Sequence, residues 1–257
     1  MNPNLKKSLS SRFARGVCHR GLHDLRCPEN SRAAFLQAIE SNMPFECDVH
    51  LSKDGKLVVC HDSDLFRVTK KHGIIEELTF DEIQEFHFFD GSSPMALPDL
   101  LALNDGRVPM VIELKAYQGN GRELAKAATP ILNGMKNIAE CYLISFDPEA
   151  LRGAKEADIH MPLGFLVGTE AVKHASKELL YEFDFLDVEV HYSLLPRFGR
   201  YRKDGGFIVC WTVKNRLTYN IGKRRCDVLT WEEVDSAKEE LKVNSFIHKR
   251  VNPLVKN

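Results

Sequence analysis

The chain has 257 residues, 44% hydrophobic and 28% charged, which is ample for a sizeable core. Its 35 basic and 36 acidic side chains leave a net charge of −1, which argues against a nucleic-acid footprint or a broadly basic membrane face. No run approaches the ~18 consecutive apolar residues of a membrane span, and the basic start MNPNLKKSLSSRFARGVCH lacks the apolar centre of a secretory signal.

Strand-like runs alternate with helical patterns along the chain. GVCHRG (16–21) is the first strand candidate, and SRAAFLQAIES follows as a helix with Asn30 or Ser31 as its cap. FECDVHL (45–51) and KLVVCHD (56–62) are joined by SKDGK, where Asp54-Gly55 predicts a tight turn. Next come PMVIELK (109–115), a helix from Gly121, CYLISF (141–146), and a helix from Asp147 with an acidic cap and Pro just inside its start. LGFLV (163–167), the helical EAVKHASKELLYEF, FLDVEV (185–190), GFIVCWTV (206–213), CDVLTW (226–231) and the helical WEEVDSAKEELK complete the series.

Such alternation implies βαβ units on a parallel sheet. With the SKDGK pair counted as one unit, about eight repeats remain, which predicts a single (β/α)8 TIM barrel across residues 1–257. The first ~14 residues are expected to lead in loosely. An open doubly wound sheet is the competitor, but no GxGxxG follows the first strand. Seven cysteines include no CxxC pair. Cys18, Cys47, Cys60, Cys141, Cys210 and Cys226 lie in apolar runs, where a free thiol behaves as a small buried hydrophobe, so a reducing, cytoplasmic setting is expected.

Strand residues two apart share a face, so Glu46 and Asp48 point the same way, as do Glu113 and Lys115. Burying two carboxylates on one face is costly unless something cationic offsets them. Three acids inside apolar strands supply the hard oxygen donors that Mg²⁺ or Ca²⁺ prefers. A set of surface ion pairs is the plainer reading for any one acid alone. His19 and His61 each end a strand run and suit general acid and base; zinc is disfavoured because neither HExxH nor CxxC is present. Arg20 and Lys115 add positive charge suited to phosphate oxygens.

In this order, HRG, PEN followed by Ser, ECDV, KDG, VVCHD, LFRVT and ELK resemble the glycerophosphodiester phosphodiesterase family. The resemblance implies a TIM-barrel, metal-dependent phosphodiester hydrolase of the phospholipase C-like type, with Glu46, Asp48 and Glu113 holding one divalent ion. It implies His19 and His61 as the acid–base pair, Arg20 and Lys115 on the phosphate, Glu29 and Asn30 in support, and Trp211 walling the glycerol or alcohol side. The implied substrate is a small glycerophosphodiester such as glycerophosphocholine, released as sn-glycerol 3-phosphate and an alcohol. The attacker implied by the resemblance is the substrate's own glycerol 2-hydroxyl, giving a cyclic phosphate that water then opens, and direct attack by water is the alternative that the sequence leaves open.

Two departures bear on substrate preference. Lys214 follows WTV where the family tends to have Asn, and Trp231 stands where an Asp usually follows Thr. Two other readings are kept: a lysophospholipase D-like activity, and a barrel that binds phosphodiesters or phosphosugars without turnover. Asp187, Glu189 and His191 share a face but match the family poorly and are set outside the site. Ser145 lacks the GxSxG elbow of a nucleophilic serine.

Overall fold

The computed structural model describes residues 7, 9, 11 and 13–232. Nine strands make one sheet: β1 (Val17–Cys18), β2 (Phe45–Leu51), β3 (Leu57–Val59), β4 (Met110–Leu114), β5 (Tyr142–Ser145), β6 (Leu163–Val167), β7 (Phe185–Glu189), β8 (Ile208–Val213) and β9 (Val228–Trp231). Eight of them run parallel in the order β1-β2-β4-β5-β6-β7-β8-β9, and β1 pairs with β9 to close the barrel. The extra strand, β3, is antiparallel to β2, with Val49 opposite Val59. Gly55 takes φ +76° in the turn between them, where a side chain would be strained. The barrel expectation holds.

Alternation along the strands divides the core in two. Cys47 and Val49 face outward into a layer that packs under the helices. There Phe35, on helix Arg32–Glu40, meets Phe45 at a ring distance of 4.9 Å, each burial contributing about 1.5–3 kcal/mol. Inward-facing Val17, Val111, Tyr142, Phe185, Phe207 and Val209 fill the barrel itself. Leu9 and Phe13, from the stretch expected to lead in loosely, are buried in this inner cluster. Phe13 lies edge-on to Tyr142, with ring centroids 4.7 Å apart.

Local signals account for most helix boundaries. Ser31 caps its helix by accepting from the Ala34 N–H at 3.2 Å, and Asp147 caps Pro148–Glu156 by accepting from Glu149 N–H at 3.0 Å. EAVKHASKELLYEF, expected as one helix, is two, Thr169–His174 and Lys177–Leu180. Ala175 leaves helical geometry with ψ 127°, and the Ser176 side chain caps the second piece, a role in which serine competes well with helix continuation. Beyond Trp231 and Glu232, the expected helix WEEVDSAKEELK lies outside the described residues.

One cysteine expectation is corrected. Cys210 on β8 and Cys226, which ends helix Arg216–Arg225, form a disulfide. The helix returns the chain beside its own strand and brings the Cα atoms to 6.0 Å, inside the bridging range. A separation of 16 residues carries no local signature of that pairing. Cys18, Cys27, Cys47, Cys60 and Cys141 are free and buried, as expected of small hydrophobes.

Candidate active site

At the C-terminal ends of the strands lies a cavity of about 480 Å³, lined by His19, Arg20, Glu46, His61 and Glu113 from one arc of the barrel. Ile144, Phe146, Leu166, Asp187 and Trp211 line the other arc. This is the end where barrel enzymes carry their chemistry.

The acids meet because β2 and β4 are parallel neighbours in register, with Asp48 opposite Glu113 and Glu46 opposite Val111. Glu46, Asp48 and Glu113 are all buried and offer carboxylate oxygens within 4.8 Å of one another. Cations and amides surround them. Lys115 Nζ donates to Glu113 Oε1 at 2.8 Å and lies 3.6 Å from Asp48 Oδ1. The Arg20 backbone N–H donates to Glu46 Oε2 at 2.9 Å, and its Nε lies 3.5 Å from Asp48 Oδ2. Asn30 Nδ2 donates to that same Oδ2 at 2.7 Å while its Oδ1 accepts from Asp48 N–H at 3.3 Å.

This environment splits the three acids. Burial pushes Glu46 well above the usual carboxylate range, with Asp48 and Glu113 adding repulsion. Burial likewise lifts Glu113 to about 7, against the pull of Lys115. Asp48 feels burial too, but Lys115, His61 and Arg20 outweigh it and hold it below the usual range. Lys115 lies nearer Glu113, yet Asp48 stays ionised because it also has Arg20 and Asn30. Three acids crowd a space that its own cations do not neutralise.

The donor set fits a hard divalent cation. Glu46 Oε1 and Asp48 Oδ1 are buried and without a hydrogen-bond partner, an arrangement rare in folded proteins unless a ligand is to be served. The donors are carboxylate oxygens, the type that Mg²⁺ and Ca²⁺ take.

The two histidines face the same cavity. His61 Nδ1 is 2.6 Å from Asp62 Oδ1; burial lowers the pKa of the imidazole, though Asp48 pulls it the other way. Asp62 in turn pairs with Arg67, whose guanidinium also reaches both oxygens of Glu29 at 2.9 and 2.6 Å. Glu29 also accepts from Arg20 Nη1 at 2.8 Å, so it ties Arg20, in its turn, to Arg67, on the short helix Phe66–Thr69. His19 Nδ1 is 2.9 Å from Glu232 Oε2. Burial raises Glu232, but its bond with His19 prevails and lowers its pKa to about 2. The sharp turn that presents His19 and Arg20 uses positive φ at Arg20 (+54°) and Gly21 (+80°). A Cβ on Gly21 would lie 2.8 Å from the Ala34 Cβ, so only glycine fits there.

Residues 19–252 match the model of the glycerophosphoryl diester phosphodiesterase family. The chain belongs to this family. A glycerophosphodiester phosphodiesterase of Caldanaerobacter subterraneus is 29% identical over 215 residues, 78% of this chain and 86% of that protein. A glycerophosphodiester phosphodiesterase structure from Parabacteroides distasonis aligns with TM-score 0.74 at 25% identity, over 89% of this chain and 97% of that one. One from Thermotoga maritima aligns at 0.70 and 28% identity, over 87% and 96%. An Oleispira antarctica phosphodiesterase, solved with its product sn-glycerol 3-phosphate, shares the fold at TM-score 0.77 and 21% identity, over 87% and 96%. The protein is a hydrolase of the phosphodiesterase class.

All ten candidate residues lie in or beside this cavity. Trp211 lines the cavity, edge-on to Phe146 with centroids 5.5 Å apart. Ser145 is structural, donating to Leu114 O at 2.7 Å. Among the cavity residues that escaped the sequence reading are two acids. Glu232 lies one residue past Trp231, in a stretch that reads as the start of a helix. Asp187, set aside with Glu189 and His191, is buried and lines the cavity, whereas the other two do not. Its signal was the one that marked Glu46: an acid inside an apolar strand, on the face of a second acid.

Proposed function

We propose that the protein hydrolyses glycerophosphodiesters to sn-glycerol 3-phosphate and an alcohol, with Glu46, Asp48 and Glu113 holding one divalent ion, Mg²⁺ or Ca²⁺. The ion would neutralise charge on a non-bridging phosphate oxygen. One observation carries the reading: two imidazoles and three buried carboxylates, two of whose oxygens lack a hydrogen-bond partner, converge on one cavity.

The residues divide the work by charge and proton affinity. Arg20 and Lys115 line or border the acid cluster and add fixed positive charge for the phosphate, whose negative charge grows in the transition state. His61 Nδ1–H donates to Asp62, which leaves Nε2 as a lone pair, and its lowered pKa keeps it neutral near pH 7. It takes the proton of the attacking hydroxyl. His19, with Glu232 behind its Nδ1, supplies a proton from Nε2 to the departing alkoxide. Trp211 and Phe146 present an apolar wall to the carbons of the glycerol or the alcohol.

The test is a matrix of divalent ions against diesters on chelator-stripped protein. Ion-dependent release of glycerol 3-phosphate from deacylated diesters supports the reading. Faster turnover of lysolipids would move the protein to a lysophospholipase D-like activity, and binding without product release would make it a phosphodiester-binding barrel.

A further inference from the structure

The proposed mechanism draws on the acids, cations and histidines of the β1–β4 side of the cavity and leaves Asp187, on the facing wall, without a role. Asp187 sits on β7, diametrically opposite β2 in the eight-stranded ring. It stands level with Leu166 on β6 and Val209 on β8, one inward-facing position above Phe185, so it forms a polar spot on an apolar wall. Its side chain is buried, it lines the cavity, and its Oδ1 has no hydrogen-bond partner. A second orphan accompanies it: the hydroxyl of Tyr142, fully buried among Phe13 and Phe185.

A buried polar atom left unpaired costs about 1–3 kcal/mol, and a barrel lined with Leu, Val and Phe could close over an apolar residue at that position without that cost. Asp187 is also held in place, because Trp211 Nε1 donates to its backbone carbonyl at 3.3 Å. It is too far from Glu46, Asp48 and Glu113 to join their cluster.

Resting on the reading that a glycerophosphodiester occupies this cavity, we infer that Asp187 is a specificity residue that hydrogen-bonds a glycerol hydroxyl of the substrate. With the phosphate on the β2–β4 side, the three-carbon end reaches the β7 wall, where Trp211 covers its carbons and Asp187 meets its hydroxyl. Burial, with the Glu113 charge adding, pushes the Asp187 carboxyl well above the usual range. Either form of the carboxyl accepts from a hydroxyl, and the protonated form also donates to one. The Tyr142 phenol is raised as well, by burial and then by the Asp187 and Glu46 carboxyls, so it stays a neutral donor under the same spot.

The experiment compares two phosphate monoesters on the ion-loaded protein by calorimetry: sn-glycerol 3-phosphate and n-propyl phosphate, which has the same chain without hydroxyls. Asp187→Ala is expected to weaken glycerol 3-phosphate about 10-fold, the worth of one such hydrogen bond, and to leave n-propyl phosphate within about 2-fold. Asp187→Asn, which keeps a donor and an acceptor, should retain most of the affinity. If Asp187→Ala does not fold, Asp187→Val, which refills the site with a branched apolar side chain, gives the same comparison. Equal weakening of both monoesters, weakening of neither, or a wild type that does not prefer glycerol 3-phosphate overturns the inference, even with diester hydrolysis intact. Selective weakening in a protein that turns over no diester would support the subsite and overturn only the catalytic reading.

Discussion

The two arcs of the barrel mouth are built differently. From β9 through β1 and β2 to β4, the wall is charged: His19, Arg20, Glu46, Asp48, Glu113 and Lys115 lie within ion-pair or hydrogen-bond reach of one another or of a loop partner. From β5 to β8, it is mainly Ile144, Phe146, Leu166 and Trp211, with Asp187 the acid among them and Thr212 and Lys214 at the β8 edge. On the proposed reading, the first arc carries the groups that move protons and bind an ion, and the second carries shape. Reactivity and selection thus occupy different stretches of chain, and substitutions in each should fail differently.

The largest effect expected lies in the charged arc. His19→Ala and His61→Ala should each lower kcat by about 10²–10⁴-fold, with thermal unfolding close to that of the wild type. If either variant kept near-full turnover, the division between the arcs would collapse. Next is Lys115→Met. It leaves Asp48 and Glu113 side by side without their shared cation, and breaking a buried pair costs about 3–5 kcal/mol. Urea unfolding in chelator should show that loss, and a divalent ion should restore part of it.

What could be read before the fold was known follows the same division. An acid in the middle of FECDVHL or MVIEL is costly unless it has a purpose, so Glu46, Asp48 and Glu113 announced themselves. Asp187 in FLDVE gave an equal signal, but strand alternation does not tell whether an inward residue sits deep in packing or at a cavity floor; depth is set by the register of β6, β7 and β8. Glu232 was illegible for another reason. Its contact with His19, 213 residues away, exists only because β9 closes on β1. The Cys210–Cys226 bridge and the break at Ala175–Ser176 likewise depend on how a helix returns to its strand and on a local cap, which hydrophobic periodicity does not encode.

Glu232→Gln sharpens the comparison by testing the closure between the last strand and the first. It weakens a charge-assisted hydrogen bond to His19 worth about 1.5 kcal/mol, near 10-fold in kcat, well short of His19→Ala. A subtler effect is in pH. Glu113 has its folded pKa raised from 4.5 to about 7, so in the ion-free protein its contribution to stability is present below pH 4.5 and lost as pH rises towards 7. His23 and His61, lowered by burial, act in the opposite sense as pH rises through about 6.5. The difference between wild type and Glu113→Gln isolates the carboxyl. Without added ion, the variant should gain melting temperature relative to wild type as pH goes from 5 to 8, by a few degrees for each ~1 kcal/mol. A constant difference would mean that Glu113 is ionised throughout.

Anomalous diffraction from crystals grown with Mn²⁺, a stand-in for the hard divalent ions, goes to the root of the account. The expected result is one strong peak bounded by the carboxylates of Glu46, Asp48 and Glu113, at about 2.2 Å from their oxygens, and its loss in Asp48→Asn. A map with no peak there, or with the ion bound elsewhere while diester hydrolysis still depends on it, would contradict the role assigned to the three acids.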